Sequence, residues 1–408
     1  MRDLNRQLRA YAEQLDQAAP AVDDLAADVE ATLVATSSAW RRSPWLSLAG
    51  AAVFILVAVG GAAMLTSGLG SDETVASTTT GAVSSTVAIA EDPLVFTPAV
   101  LSGATQMPIL VGGMGGDGWD YPFLGPGSVV EHDGLFHMFP VAFGEDRPGE
   151  EDEAVGTGIG YATSADGVSW DAQAVLFTEA DVSFADGLGS NTVLVLPDGT
   201  WAMYLGAVID PCTEHGEHCN EYRIARATAP SPAGPWMIDP NPVLEAGGEG
   251  AWDSGFIGDA SVLLNDDGYV MYYSGGEKDS YGAVGIARSE DGVGWVKDPE
   301  PVFGPSNPWE DGAIRQPNVL RTNDGWVMAY AGRTGGNRGV AYSDDGLVWQ
   351  AYPGNPILDG LMVELPAIFD TDLVSVDGQY RWYLSNGGYR SGSDIFLMVY
   401  DGAIPPRD

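Results

Sequence analysis

Three regimes of apolar patterning follow one another along the chain. In residues 1–42 the apolar positions Leu4, Leu8, Tyr11 and Leu15 fall at helical spacing among charged neighbours, which predicts a short amphipathic helix followed by a looser Ala/Asp segment. From Trp45 to Leu65 no charged residue occurs, and a run of that length is enough to cross a hydrocarbon layer as a helix. Arg41 and Arg42 precede the run and Asp72 and Glu73 follow it. The positive-inside bias therefore places the N-terminus in the cytoplasm and everything beyond residue 70 outside, on a single-pass anchor over residues 44–69. A cleaved signal peptide is the alternative, and the long segment ahead of the run speaks against it. Residues 70–93 are rich in Ser, Thr and Ala, lack aromatics, and read as a flexible stalk.

Beyond residue 94 the period shortens to strand-like alternation, and the pattern repeats. HDGLFHMF, PDGTWAMY, DDGYVMYY, NDGWVMAY and VDGQYRWY each set an Asp-Gly pair, at Asp133, Asp198, Asp267, Asp324 and Asp377, before an aromatic strand. Asp-Gly between apolar runs is a hairpin signal. A third strand (GIGYATS, YRIARAT, VGIARSE, RGVAYSD) follows in four copies, and then a turn ending in Trp170, Trp236, Trp295 or Trp349. Three or four strands per copy make a propeller blade, so residues 94–408 are expected to form an all-β, five-bladed β-propeller. The last copy, DIFLMVYDG, is short, and the segment near Leu94 to Leu110 is expected to complete it.

Composition agrees with many short strands: 54 glycines, 26 prolines, 12 tryptophans and only 18% charged residues. The charge narrows the partners. With 57 acidic against 18 basic residues, the net charge of -39 repels phosphate backbones, and no nucleic-acid partner is expected. Docking of the folded domain on anionic lipid is disfavoured for the same reason. Both cysteines, Cys212 and Cys219, lie in one short segment with His215 and His218. An extracellular setting favours a Cys212–Cys219 disulfide, and zinc held by the four residues is the alternative.

The turns SADGVSW, SEDGVGW and SDDGLVW, with PSPAGPW as a variant, resemble those of the five-bladed propeller glycoside hydrolases of families 43 and 32. The resemblance spans roughly residues 117 to 402. It implies hydrolysis of a glycosidic bond in a pocket at one end of the central channel, by two carboxylates from different blades, with a third acid tuning the proton donor. A calcium ion in the channel and a carbohydrate ligand are implied as well, and a monomer is expected.

Carried over residue by residue, the resemblance puts the tuning acid at Asp259, in GDASVLLNDDG. In FLGPGSVVEHDG Gly125 stands where the base would sit, and in IRQPNVL Arg315 replaces the general acid. Either the catalytic groups have moved along the chain or the propeller binds glycans without cleaving them; a stalked protein-interaction platform is a third reading. Other acids stand at strand entrances: Asp120, Asp186, Asp253, Glu310, Asp311 and Glu364. Asp120, Glu310, Asp311 and Glu364 are candidate catalytic partners of Asp259, and Arg315, Asp253 and Asp186 candidate substrate contacts. A recurring Trp-acid pair also has a structural reading, in which the carboxylate caps loop N–H groups. Arg315 could equally pair with Glu310 or Asp311, and Trp119, Trp252 and Trp309 could stack on sugars or belong to the core.

Overall fold

The computed structural model of the protein describes residues 94, 96–98, 110–111, 123–143, 157–209, 221–277, 282–323, 325–333, 336–359, 368–386, 394–402 and 404. The expected amphipathic helix, anchor and stalk, and the cysteine segment, lie outside the described residues, as do Trp119, Asp120 and Glu364. No described helix is long and apolar enough to cross a membrane.

Five antiparallel sheets form five blades. Blade 1 is Phe123–His132, Leu135–Phe143, Thr157–Ser164 and Asp171–Thr178. Blade 2 begins Gly187–Val195, Trp201–Ile209, Glu221–Ala229, blade 3 Phe256–Asn265, Gly268–Gly276, Ala283–Ser289, and blade 4 Ile314–Thr322, Gly325–Gly332, Asn337–Ser343. Short outer strands complete each of these. Blade 5, made of Ile368–Val376, Gln379–Asn386 and Asp394–Asp401, takes its outer strands from the start of the domain: Thr97 pairs with Val399 and Leu110 with Ile395. The first strands touch one another in a closed cycle through all five blades, which makes them the wall of the central channel.

The hairpin signals work as the chemistry requires. Asp133 and Gly134, and Asp377 and Gly378, all have positive φ, the demand of a type I′ turn between right-twisted strands. Between the blades lie apolar clusters built from Val, Ile, Met and aromatic side chains of second and third strands.

The Trp-ended turns fasten blade to blade. In blades 1, 3 and 4 the Asp carboxylate (Asp166, Asp291, Asp345) accepts two backbone N–H groups, at 2.7–2.9 Å, and the Ser hydroxyl accepts the Gly N–H. The Gly carbonyl takes the indole N–H of its own Trp and a tyrosine hydroxyl from the adjoining blade. Tyr383 donates to Gly167, Tyr204 to Gly292 and Tyr272 to Gly346, at 2.8–3.0 Å. At the same position of the second strand, Phe139 faces the variant turn of blade 2, whose Gly234 carbonyl is already taken by Ser231. Ala329 stands at the junction with blade 5, which lacks the turn. The tyrosine is present where the acceptor is open.

Candidate active site on the propeller axis

Each first strand carries one extra residue, a bulge, near its start: at Gly127/Ser128, between Leu188 and Asn191, between Gly258 and Ser261, between Arg315 and Asn318, and between Ile368 and Thr371. Bulges re-aim side chains. Asp259 and Gln316 hold positive φ here, as does Gly127. Just after each bulge, a polar residue ties its strand to the next blade. Ser128 accepts the Val193 N–H, Thr192 donates to the Ala260 carbonyl, Ser261 accepts the Val319 N–H, Asn318 the Leu373 N–H and Asp372 the Val129 N–H. These five bonds form a closed girdle, one per junction.

Above the girdle the first strands line an open cavity of about 30 Å³, with residues of every blade in its wall, among them Gly127, Ser190, Asp259, Gln316, Asp370 and Asp372. That volume holds about two water molecules. Asp259 is partly exposed toward it and accepts a hydrogen bond from the Ser274 hydroxyl at 2.9 Å. Burial in the ring raises its pKa, against the opposing charge of Arg315. Asp370 is 3% exposed; Oδ2 accepts the Gly127 N–H at 3.2 Å and Oδ1 the Ser190 hydroxyl at 3.1 Å. Desolvation pushes it up to about 6, with the charge of Asp259 adding to the effect. Asp372, also accepting from Asn318 Nδ2, is pushed up to about 8 by burial. Arg338 is fully buried behind Gln316, to whose Oε1 it donates at 3.0 Å, and burial beside Arg315 brings its pKa down to about 9.

Of the residues singled out by sequence, Asp259 lies in the cavity wall and Arg315 acts on it from the next blade. The Trp-acid pairs serve elsewhere. Asp253 is buried, accepting the Tyr273 hydroxyl at 3.0 Å and pairing with Lys297 at 2.7 Å, while Trp252 fills the space over Gly275 and Gly285. Glu310 is wholly buried: it accepts the Ser306 and Asn307 N–H groups, the Asn307 side-chain amide and the Tyr330 hydroxyl. Trp309 packs over Gly339 in the same way. Asp311 is exposed beside Arg333, so neither acid is left for an ion pair with Arg315. Asp186 is exposed before the first strand of blade 2, its N–H bonded to the Val208 carbonyl. None of these four lines the cavity.

Sequence reading passed over Asp370, Asp372 and Arg338 as site residues. A usable signal existed for the first: Glu364 precedes Asp370 by the interval that separates Asp253 from Asp259. The cavity does not suit the expected calcium. Among the described residues no three His, Cys, Asp or Glu side chains converge as metal ligands, and the axial carboxylates are already bonded to N–H and O–H donors of the protein.

With this geometry in place, the similarity to known structures is specific in kind. A thermostable family-43 glycoside hydrolase matches at a TM-score of 0.52 with 18% identity, over 68% of this chain and 88% of that one. The fold is that of the glycoside-hydrolase propellers. A putative glycoside hydrolase from Parabacteroides distasonis matches over 77% of this chain and 98% of its own, at 18% identity and a TM-score of 0.52. A family-43 β-xylosidase/α-arabinofuranosidase from a compost metagenome, solved with xylotriose in a calcium-free form, matches at 14% identity and 0.51, over 73% and 94%. No family model and no curated protein sequence matches the chain. At such identities the glycoside-hydrolase propellers lend this chain their architecture alone.

Proposed function

We propose that the chain is a cell-surface glycoside hydrolase, with its propeller held outside the cell by the N-terminal anchor and stalk, acting on a glycosidic bond of an extracellular carbohydrate. The observation that carries this reading is the axial cavity, whose wall brings together Asp259 and further buried carboxylates from separate blades. Glycosidases need two carboxyl groups in different protonation states flanking the scissile bond. Burial raises both Asp259 and Asp370 and the charge of Arg315 and Arg338 opposes it at Asp259, so the site can hold one carboxyl group protonated while another is ionised.

A second reading has its own support. Arg315 stands where the resemblance places the general acid. A glycan would then be held at the channel mouth without cleavage.

The deciding experiment uses the full-length protein in detergent, screened against 4-nitrophenyl glycosides and a glycan array beside Asp259→Asn. Turnover that is lost in the variant supports the hydrolase. Array binding without any turnover by the wild type sinks it and leaves the binding protein. Recovery of the native protein in the soluble rather than the membrane fraction would remove the cell-surface part of the reading.

A further inference from the structure

Blade 1 lacks a side chain where the resemblance expects the base, yet that place is not empty. A Cβ built on Gly125 would lie 2.6 Å from Asp370 Oδ2 and 3.0 Å from Asp370 Cβ. The volume belonging to side chain 125 is thus filled by a carboxylate arriving from blade 5, the neighbour across the closing junction of the ring. Three blades hold the residue there: its own blade through the Asp370 N–H, which donates to the Ser385 hydroxyl of the next strand at 2.9 Å, blade 1 through the Gly127 N–H, and blade 2 through Ser190. The approach depends on glycine twice. Gly125 offers no Cβ, and Gly127 at φ +56° points its N–H at the carboxylate while a Cβ there would lie 2.1 Å from the Phe139 carbonyl.

We infer that Asp370 is the general base of this site, a carboxylate transposed from blade 1 to blade 5 while its position in space is kept; the inference rests on the hydrolase reading above. In the step, a water in the cavity gives its proton to the Asp370 carboxylate as its oxygen bonds to the anomeric carbon. The glycosidic C–O bond breaks, and the departing oxygen takes a proton from Asp259 across the cavity. The two acids line the same space, and the charge of Asp259 acts on Asp370. Burial raises both groups, Asp370 to about 6, which leaves it ionised at neutral pH; Asp259 is the carboxyl group of another blade in the same cavity wall and so stands as the proton donor by position. Asp372 serves the girdle, accepting from Val129 and Asn318.

The test is kinetic and chemical, on the full-length protein and whichever 4-nitrophenyl glycoside the wild type cleaves. Asp370→Asn keeps an oxygen for the Gly127 N–H and so preserves the fold, checked by its melting temperature. Its kcat is expected to fall by about 10²- to 10⁴-fold, the usual worth of a general base. Asp370→Gly in sodium azide is expected to regain turnover and release a glycosyl azide, because azide attacks carbon without a proton to lose. A structural role would not respond to azide. Turnover of Asp370→Asn within about threefold of wild type, or no azide effect on Asp370→Gly, overturns the assignment while leaving the hydrolase reading intact. A wild type that cleaves no glycoside overturns the hydrolase reading itself.

Discussion

If the Trp-ended turns clasp blade to blade, replacing the tyrosine and the glycine of one clasp should have coupled effects on stability. The junction of blades 3 and 4 is the cleanest case. Tyr272, 1% exposed, donates to the Gly346 carbonyl at 2.8 Å, and Trp349 Nε1 reaches the same oxygen at 3.1 Å. Tyr272→Phe removes one hydrogen bond without orphaning the acceptor, so its cost is the net worth of a hydrogen bond, about 1 kcal/mol. Gly346→Ala is more severe. The residue sits at φ +76°, which costs a non-glycine residue about 1–2 kcal/mol, and the new Cβ would lie 2.5 Å from the Tyr272 hydroxyl. Forcing the ring back adds about 1–3 kcal/mol of overpacking.

In the double variant the offending oxygen is gone. The backbone strain and the lost hydrogen bond remain, but the overpacking does not, so the pair should be less destabilised than the sum of the singles by about 1–2 kcal/mol. Equilibrium urea unfolding followed by tryptophan fluorescence measures all four corners of the cycle. Additivity within about 0.5 kcal/mol would mean that the hydroxyl and the glycine do not meet, and the explanation of the repeated turn would be wrong.

Glu310 separates a structural from a catalytic carboxylate: Glu310→Ala strands four donors and is expected to cost about 3 kcal/mol in urea unfolding, whereas a near-normal melting temperature with abolished turnover would restore it to the catalytic set. The pH dependence of stability has a definite sign. Asp370 and Asp372 have folded pKa values near 6 and 8, above the ordinary 3.8, so the folded chain holds protons that the unfolded chain has released, and stability falls as pH rises from about 4 to those values, by at most about 1.4 kcal/mol per unit for each group. Asp166, Asp291 and Asp345 act oppositely, since backbone N–H bonds lower their pKa values and their contribution is lost as pH falls below about 4. Melting temperature is thus expected to peak near pH 4 to 5 and to decline less steeply in Asp372→Asn; a steady rise to pH 8 would contradict the burial argument.

The blades were legible because two local signals agree at every copy: the Asp-Gly hairpin and the alternating aromatic strand. The strand that completes blade 5 was legible from the shortness of DIFLMVYDG, since a propeller leaves no blade edge open. The site was harder to read. Asp253 and Glu310 look like site residues in sequence, being acids beside tryptophan at strand entrances, and only the partner hydroxyls of Tyr273 and Tyr330, 20 residues away in each case, show what occupies them. Girdle residues Ser128, Thr192, Ser261, Asn318 and Asp372 are chemically varied, so no one motif marks them. What unites them is a polar side chain just before a Val or Leu in an otherwise apolar strand.

The same ring makes a displaced carboxylate physically reasonable. Five first strands converge on one axis, each with a bulge at nearly the same height, so bulge positions on adjacent blades are neighbours in space although Gly125 and Asp370 lie at opposite ends of the propeller sequence. A carboxylate can be supplied to one point near the axis from either side of a blade junction, provided that the opposite strand gives up its side chain. Gly125 and Asp370 meet that condition, and their close approach excludes a carboxylate from both at once. The arginine of blade 4 follows the same logic: with Asp370 added near Asp259, acids of two blades face one small cavity, and Arg315 and Arg338 offset that negative charge. On this argument Gly125 and Arg315, which in sequence read as two losses, are linked to the gain of Asp370. A chain that regains an acid at 125 should therefore carry a small or neutral residue at 370.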